Sequence, residues 1–303
     1  MKKIFLIAPA ILIIFQSCSQ KNKEEKLQSD TTIQLSKNFG DYWYQGKAEL
    51  TSYNLEQVRY GEKREGHAVL VYVTEDFSKS KQVKLDDPQT AGDDAQKVLK
   101  LNFTKKFNTG IYPYSIMTSV FSPVYPEKDL HAVKVSTSVQ EWCGHVFMQL
   151  NNEPDQYKTF IRSYFESEGD QEIRLEKTWL EDELWNLIRL DPDAIPTGKI
   201  QIIPSTQFIR LKHVEAKSYS AAIEKSKEGN NSVITLKVHE LRRTLKIYYN
   251  TKAPFSIEKW EETYPEGGEM MTTTGTLKKR IMLDYWNRNG VEDSVYRKEL
   301  GLE

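Results

Sequence analysis

From Phe39 onward, apolar and polar side chains alternate with a period of two, segment after segment, and only an extended backbone puts such a pattern on one face. His67–Val73 is a β-branched apolar run, and Val83 and Leu85 alternate with lysines in Lys81–Leu85. Lys97–Thr104, Tyr114–Phe121 and Ala132–Trp142 continue the pattern, with Val133, Val135, Thr137 and Val139 on one face of the last. Val146–Leu150 and Tyr157–Phe165 follow. Beyond a helical break come Lys199–Ile203, Gln207–Val214, Val233–Val238, Leu245–Tyr249, Phe255–Tyr264 and Thr276–Trp286. That makes about thirteen candidate strands, punctuated by turn-forming Gly, Pro, Asn and Asp. So few helices lie between them that parallel crossovers are excluded for most of the chain. The expected fold is mainly β: antiparallel, strongly curved sheets forming a half-barrel or a sandwich.

One amphipathic helix is expected near 174–190. Leu180, Leu184, Leu187 and Ile188 fall at i, i+4, i+7 and i+8, with Trp185 beside them and Glu181, Asp182 and Asn186 pointing away. Asp191-Pro192 ends it. Trp179 and Trp185 read as packing residues. Tyr219–Lys227 reads as a second short helix and Val291–Leu300 as a C-terminal one.

The chain of 303 residues carries 42 Lys and Arg against 43 Asp and Glu, a net charge of −1, which excludes a nucleic-acid binder acting through overall charge. Its 12 Phe, 6 Trp and 16 Tyr exclude a disordered chain, and two cysteines exclude a disulfide scaffold.

Lys2 and Lys3 precede an uncharged apolar run, Ile4–Phe15, which is shorter than the roughly 20 residues a transmembrane helix needs. The layout is that of an export signal, and Gln16-Ser17-Cys18 follows it. The segment resembles a bacterial lipoprotein signal, in the loose Ser-Cys-Ser form of Bacteroidota. The resemblance implies that Cys18 is lipidated and becomes the new N-terminus. A plain signal peptide cleaved nearby, or an uncleaved anchor, is the alternative. Residues 1–17 are then the signal, and 18–38 a polar, flexible tether. A first β region covers 39–173, the helix and its connection 174–198, and a second β region 199–303, or one domain spans 39–303. Lys23-Glu24-Glu25 resembles a surface-export signal of Bacteroidota lipoproteins and equally fits a solvated tether, so periplasmic and surface faces both stay open.

Glu141-Trp142-Cys143-Gly144-His145 is the most unusual segment. On one strand Glu141, Cys143 and His145 share a face, which offers a carboxylate, a thiol and an imidazole to a nucleophilic mechanism. Side chains two apart on a strand are roughly 7 Å apart, too far for direct proton transfer unless Gly144 marks a bulge. The bland reading of Cys143 is a buried, inert thiol. Glu166, Glu168 and Asp170 offer oxygens to a cation or simply form a solvated turn. Asp41–Gly46, rich in rings, would stack on a sugar or peptide, or dock as a first strand. His67, His131, His213 and His239 have no ligand spacing, and no metal or cofactor motif is present, so neither is expected.

Two wider resemblances follow. The hairpin Lys246–Trp260 resembles those of curved periplasmic sheets such as the lipoprotein-localisation carriers. The stretches at 41–77, 105–123, 140–145, 163–170 and 177–186 resemble a group of Bacteroidota lipoproteins often labelled "septum formation inhibitor Maf". The Ser-x-Ser-x-Arg-Arg motif of the Maf nucleotide pyrophosphatases is not matched in this sequence, so the resemblance implies no catalytic residue. The expectation is an outer-membrane lipoprotein with a non-enzymatic binding or structural role toward an envelope protein, a glycan or an apolar ligand. The alternative is an exported thiol-dependent or acid-base hydrolase centred on Glu141, Cys143 and His145.

Overall fold

The structure, a computed structural model, describes residues 32–303. Cys18, the segment 1–17 expected to be an export signal and most of the expected tether lie outside the described residues. A short helix, α1 (Phe39–Trp43), precedes eight strands that neighbour one another in order: β1 (Ala48–Arg59), β2 (Glu62–Ser78), β3 (Ala95–Thr109), β4 (Tyr112–Pro123), β5 (Lys134–Glu141), β6 (Gly144–Asn152), β7 (Gln156–Arg162) and β8 (Gln171–Glu176). The chain then crosses to the opposite edge at β9 (Trp179–Leu180) and runs through helix α2 (Glu181–Leu190). It returns through β10 (Gly198–Ile203), helix α3 (Thr206–Lys212), β11 (Tyr219–Glu228), β12 (Asn231–Val238), β13 (Arg243–Asn250), β14 (Ile257–Glu266) and β15 (Glu269–Leu283), which pairs with β1. Helix α4 (Val295–Glu299) closes the chain. Fifteen strands thus share one sheet, antiparallel throughout except where β9 runs parallel to β10. The regions 39–173 and 199–303 meet in that sheet at the β1–β15 ladder.

The connectivity forces the curvature. A flat sheet of fifteen strands would be about 65 Å wide. Its two edge strands are separated in the chain by Lys177 and Thr178 alone, a span of about 11 Å at full extension. The sheet therefore curls until its edges face each other, and Tyr157 Oη donates to the Thr178 carbonyl at 2.8 Å across that junction. No ladder joins β8 to β9, so the result is a half-open barrel rather than a sandwich.

Helix α2 fills the hollow, and all ten of its residues are buried. The helix expected over 174–190 starts only at Glu181, because 171–176 pairs with β7 as a strand. Its polar side does not point to water. The sheet surrounds it, so each polar group finds a partner there. Asn186 Nδ2 donates to the Leu99 carbonyl at 2.9 Å and to Ser122 Oγ at 3.1 Å. Glu183 accepts from the Leu180 and Ala132 amides and lies 2.9 Å from His131 Nδ1. Arg189 reaches out of α2 to grip Glu49 with two bonds of 2.7 Å. The Trp185 ring meets Phe103 and Trp260 edge-on, at 4.9 and 5.6 Å between centroids.

Trp260 pairs across the ladder with Gly275, and a Cβ there would lie 2.1 Å from its ring. Gly275→Ala must displace the indole inside a packed core. It should cost about 1–3 kcal/mol in urea unfolding, and an unchanged midpoint would show that the ring moves freely.

Five local expectations give way. Lys81–Leu85, expected as a strand, is a loop held to β2 by a single bridge between Phe77 and Lys84, too short to build a ladder. Gln207–Val214, expected extended, is mostly α3, capped by Ser205 Oγ accepting from the Phe208 amide and closed by His213 in the left-handed region. Tyr219–Lys227, expected helical, is β11, because ladders on both sides outweigh its alanine-rich propensity. Asp41–Gly46 is not a strand but the end of α1 and its exit, with Trp43 in the core. The last residues of the expected tether are docked: the Gln34 amide donates to Asp191 at 2.8 Å, and Ile33 and Leu35 pack on the core. Among the described residues no helix is long and apolar enough to cross a membrane.

Candidate functional site

In a meander, alternate turns fall at the same end of the sheet. The β1–β2, β3–β4, β5–β6, β7–β8 and β14–β15 turns therefore form one rim. Each carries a large exposed side chain at or beside its tip: Tyr60, Ile111, Trp142, Tyr164 and Met270. Ile111 is 81% and Trp142 67% exposed. These turns follow one another along the sheet, and they touch. The Tyr112 and Trp142 rings are 6.4 Å apart, and Tyr112 Oη lies 3.5 Å from Tyr60 Oη. A Cβ on Gly144 would fall 2.4 Å from the Tyr164 ring, so glycine seats that ring against the neighbouring hairpin. The C-terminal end of α3 joins the same rim, where Lys212 pairs with Glu266.

The segment 141–145 lies here, though not as one strand. Glu141 pairs with Gly144 and Gln140 with His145, so Trp142 and Cys143 form a two-residue turn without a bulge. Glu141 keeps the inward parity of Val139, while His145 shares the outward face with Gln140. The carboxylate and the imidazole thus sit on opposite faces, and the expected catalytic face is not formed. Cys143 is exposed rather than buried. Its thiol is pushed up by the hydrogen bond and negative charge of Glu141, whose Oε2 also accepts from the Cys143 amide at 2.6 Å. Both effects oppose a thiolate nucleophile.

The acidic turn is likewise tied up. Glu168 contacts His213 Nδ1 and accepts from Ser163 Oγ, and Asp170 accepts from the Ser163 amide at 3.3 Å. No group of three metal-ligating side chains occurs among the described residues.

Beneath the exposed tips lie two arginines that the sequence reading passed over. Arg59 ends β1. Its Nη1 donates to the Leu211 carbonyl at 2.5 Å, and its Nη2 to Tyr60 Oη and Tyr114 Oη at 3.3 Å each. Arg210, on α3, lies with its Nη1 3.3 Å from His213 Nε2 and its guanidinium 4.4 Å from the Phe165 ring centre. Burial lowers the Arg210 pKa, and the Arg59 charge adds to that against a partial offset from Glu168. Their signal was hidden: Arg59 lies on a strand without clean alternation, and Arg210 within the segment taken as extended.

A second charged group occupies the barrel interior. Arg243 holds Glu181 through a fork and Glu262 at 2.8 Å. Lys105, 5% exposed, lies beside them, and Asp182 accepts from the Thr206 amide and hydroxyl at 2.9 Å each. They line, with Phe103, Trp185 and Trp260, a void of about 20 Å³, too small for any organic ligand. Burial raises the Asp182 carboxyl to about 7. With that proton in place, two cations face two carboxylates, a balanced set that belongs to the core.

Larger openings lie at the opposite end of the strands. They are open clefts of about 400, 460 and 560 Å³ around Trp43–Lys47, Ser36–Tyr42 and Asp191–Ala194. No family model matches the chain, and no curated protein or solved structure is similar to it.

Proposed function

We propose that this chain is an outer-membrane lipoprotein, anchored through Cys18, that binds an envelope protein through its hairpin rim and carries out no chemistry of its own. The observation that carries the reading is the rim: five adjacent turns expose Tyr60, Ile111, Trp142, Tyr164 and Met270, on a barrel whose hollow is already filled by α2. Tyr, Trp and Met beside Arg are the side chains that protein interfaces favour. Position supports it as well. Residues 32–38 dock near Asp191 and Pro254, at the end where β1 begins, while the rim lies at the other end of that twelve-residue strand. That is a separation of about 40 Å. The rim is thus the end of the sheet farther from the point where residues 32–38 dock.

In intact cells, a photo-crosslinking residue at position 142 should join the chain to one envelope protein, and the same residue at Lys237 on the outer wall should not. Tyr164→Ser with Ile111→Ser should abolish that product without altering thermal unfolding, and Cys18→Ala should release the chain from membranes. Products from position 142 that are absent, or that carry glycan in place of protein, would overturn the proposal.

A further inference from the structure

The barrel buries four arginines deeply: Arg59, Arg189, Arg210 and Arg243. Two of them are served by carboxylates. Arg189 meets Glu49, and Arg243 meets Glu181 and Glu262, in both cases through two or more charge-assisted bonds. The other two, Arg59 and Arg210, have no carboxylate within 4 Å among the described residues, and both lie at the rim. Glu168 and Glu141 act on Arg210, and Glu266 on Arg59, only at longer range, and a buried cation without a bonded counter-charge is costly, so the contrast within one molecule carries information.

The donor geometry is specific. In a guanidinium, Nε–H and one Nη2–H point the same way, spaced to meet two oxygens of one anion. Arg210 is 6% exposed, and its Nε has no partner. Its Nη2 makes no hydrogen bond among the described residues, and only its Nη1 is engaged, against His213 Nε2. The side-on fork is thus unused, with its Nε buried beneath the rim. Three neighbours fix it. Phe165 packs on the guanidinium plane, His213 is itself held by Glu168, and Arg59 adds a second positive charge. Two carboxylates act on Arg210 at longer range: Glu168 spends its oxygens on His213 and Ser163, and Glu141 accepts from the Cys143 amide.

We propose that the Nε/Nη2 edge of Arg210 binds a single oxyanion, a carboxylate or a phosphate, presented at the hairpin rim. The owner of that anion rests on the rim reading above and is an acidic side chain of the protein partner, whereas the site itself does not depend on it.

The purified chain is titrated with inorganic phosphate, with N-acetylglutamate as the peptide carboxylate and with glycerol 3-phosphate as the headgroup phosphate. Each is compared with sodium chloride at equal ionic strength. The expected result is a saturable rise in unfolding temperature that is larger with N-acetylglutamate than with glycerol 3-phosphate, and the reverse order would overturn the assignment to a protein carboxylate. Arg210→Lys keeps the charge but loses the fork, so binding should weaken about tenfold or more, and Arg210→Gln should abolish it. Should Arg210→Gln fail to fold, Arg210→Lys alone carries the comparison. Trp142→Ser should leave anion binding intact, which separates failure of this site from failure of the rim as a protein-binding surface. Equal shifts with chloride, or wild-type affinity in Arg210→Lys, would overturn the proposal.

Discussion

Arg243→Met is expected to destabilise the protein by about 3–5 kcal/mol, because it removes one partner of a buried ion group and strands the others. The Arg243 side chain is 1% exposed and stands between Glu181, on α2, and Glu262, on β14. Burial raises the Glu262 pKa, and the charges of Arg243 and Lys105 more than reverse that. Without the guanidinium, Lys105 alone faces both carboxylates, and each must stay charged without its bond or take up a proton. The guanidinium also lies 4.2 Å from the Phe208 ring centre, so α3 loses a contact too. Arg243→Lys should fall between, since a point charge cannot serve two carboxylates as a planar fork does. Removing the charges together, with Glu181→Gln and Glu262→Gln added to Arg243→Met, should recover much of the loss. The comparison is with Lys237→Met on the outer wall, whose partner Glu224 is largely exposed and whose effect should stay within about 0.5 kcal/mol. Urea unfolding measures all four. A cost for Arg243→Met as small as that of Lys237→Met would mean that water reaches the barrel interior.

How far the sequence reveals this arrangement depends on the range of the contacts. Alternation is local, and it places most of β5: Val135, Thr137 and Val139 are buried while Ser136 and Ser138 are half-buried, whereas Val133, expected on the same face, precedes the strand and is half-buried. The antiparallel class follows from the same local evidence. The curling of the sheet toward its own edges does not, because it depends on β8 and β9 being consecutive in the chain yet at opposite edges of the sheet. The polar face of α2 is the clearest case. A helix read alone assigns Glu181, Asp182 and Asn186 to water, and only the surrounding sheet turns them into buried partners of Arg243, Thr206 and Ser122. At the rim, the 141–145 segment was visible as unusual, and the structure does place it on the exposed end. Its meaning changed because a two-residue turn between Glu141 and Gly144 inverts the parity that a single strand would give. Arg59 and Arg210 meet only through pairings more than a hundred residues long, such as Arg59 with the Leu211 carbonyl, so no local pattern announces them.

Asp182 should make the chain lose stability from pH 4.5 toward neutrality, and Asp182→Asn should remove that loss. Burial is the main cause of the raised Asp182 pKa, and the neighbouring Glu181 adds to it. The bonds from Thr206 and the charge of Arg243 oppose it without prevailing, so the carboxyl ionises at about 7 against a reference value of 3.8. Glu262 from β14 and Lys105 from β3 complete the charged surroundings. A group whose folded pKa is raised contributes stability that is fully present below its unfolded pKa and is lost as pH rises through the folded one. The native state therefore binds more protons than the unfolded state between about 3.8 and 7, and stability falls across that window. At about 1.4 kcal/mol per pH unit, the contribution is of order 4 kcal/mol. Glu49 sets the opposite limb. Burial raises it, but the charge and bonds of Arg189 hold it at about 2, so its contribution is present above the unfolded value of 4.5 and is lost in stronger acid. His131 works in the same sense as Asp182: burial lowers it, Glu183 overrides that, and the raised imidazolium loses its contribution as pH rises. The two are separated by substitution. In Asp182→Asn the amide oxygen can accept both Thr206 bonds, and no proton is lost at any pH in the range. Urea unfolding at pH 4.5 and pH 8 should show the variant gaining on the wild type by roughly 3–4 kcal/mol between the two. An unchanged difference would show that Asp182 is ionised at both pH values, and that Lys105 and Arg243 balance three carboxylates rather than two.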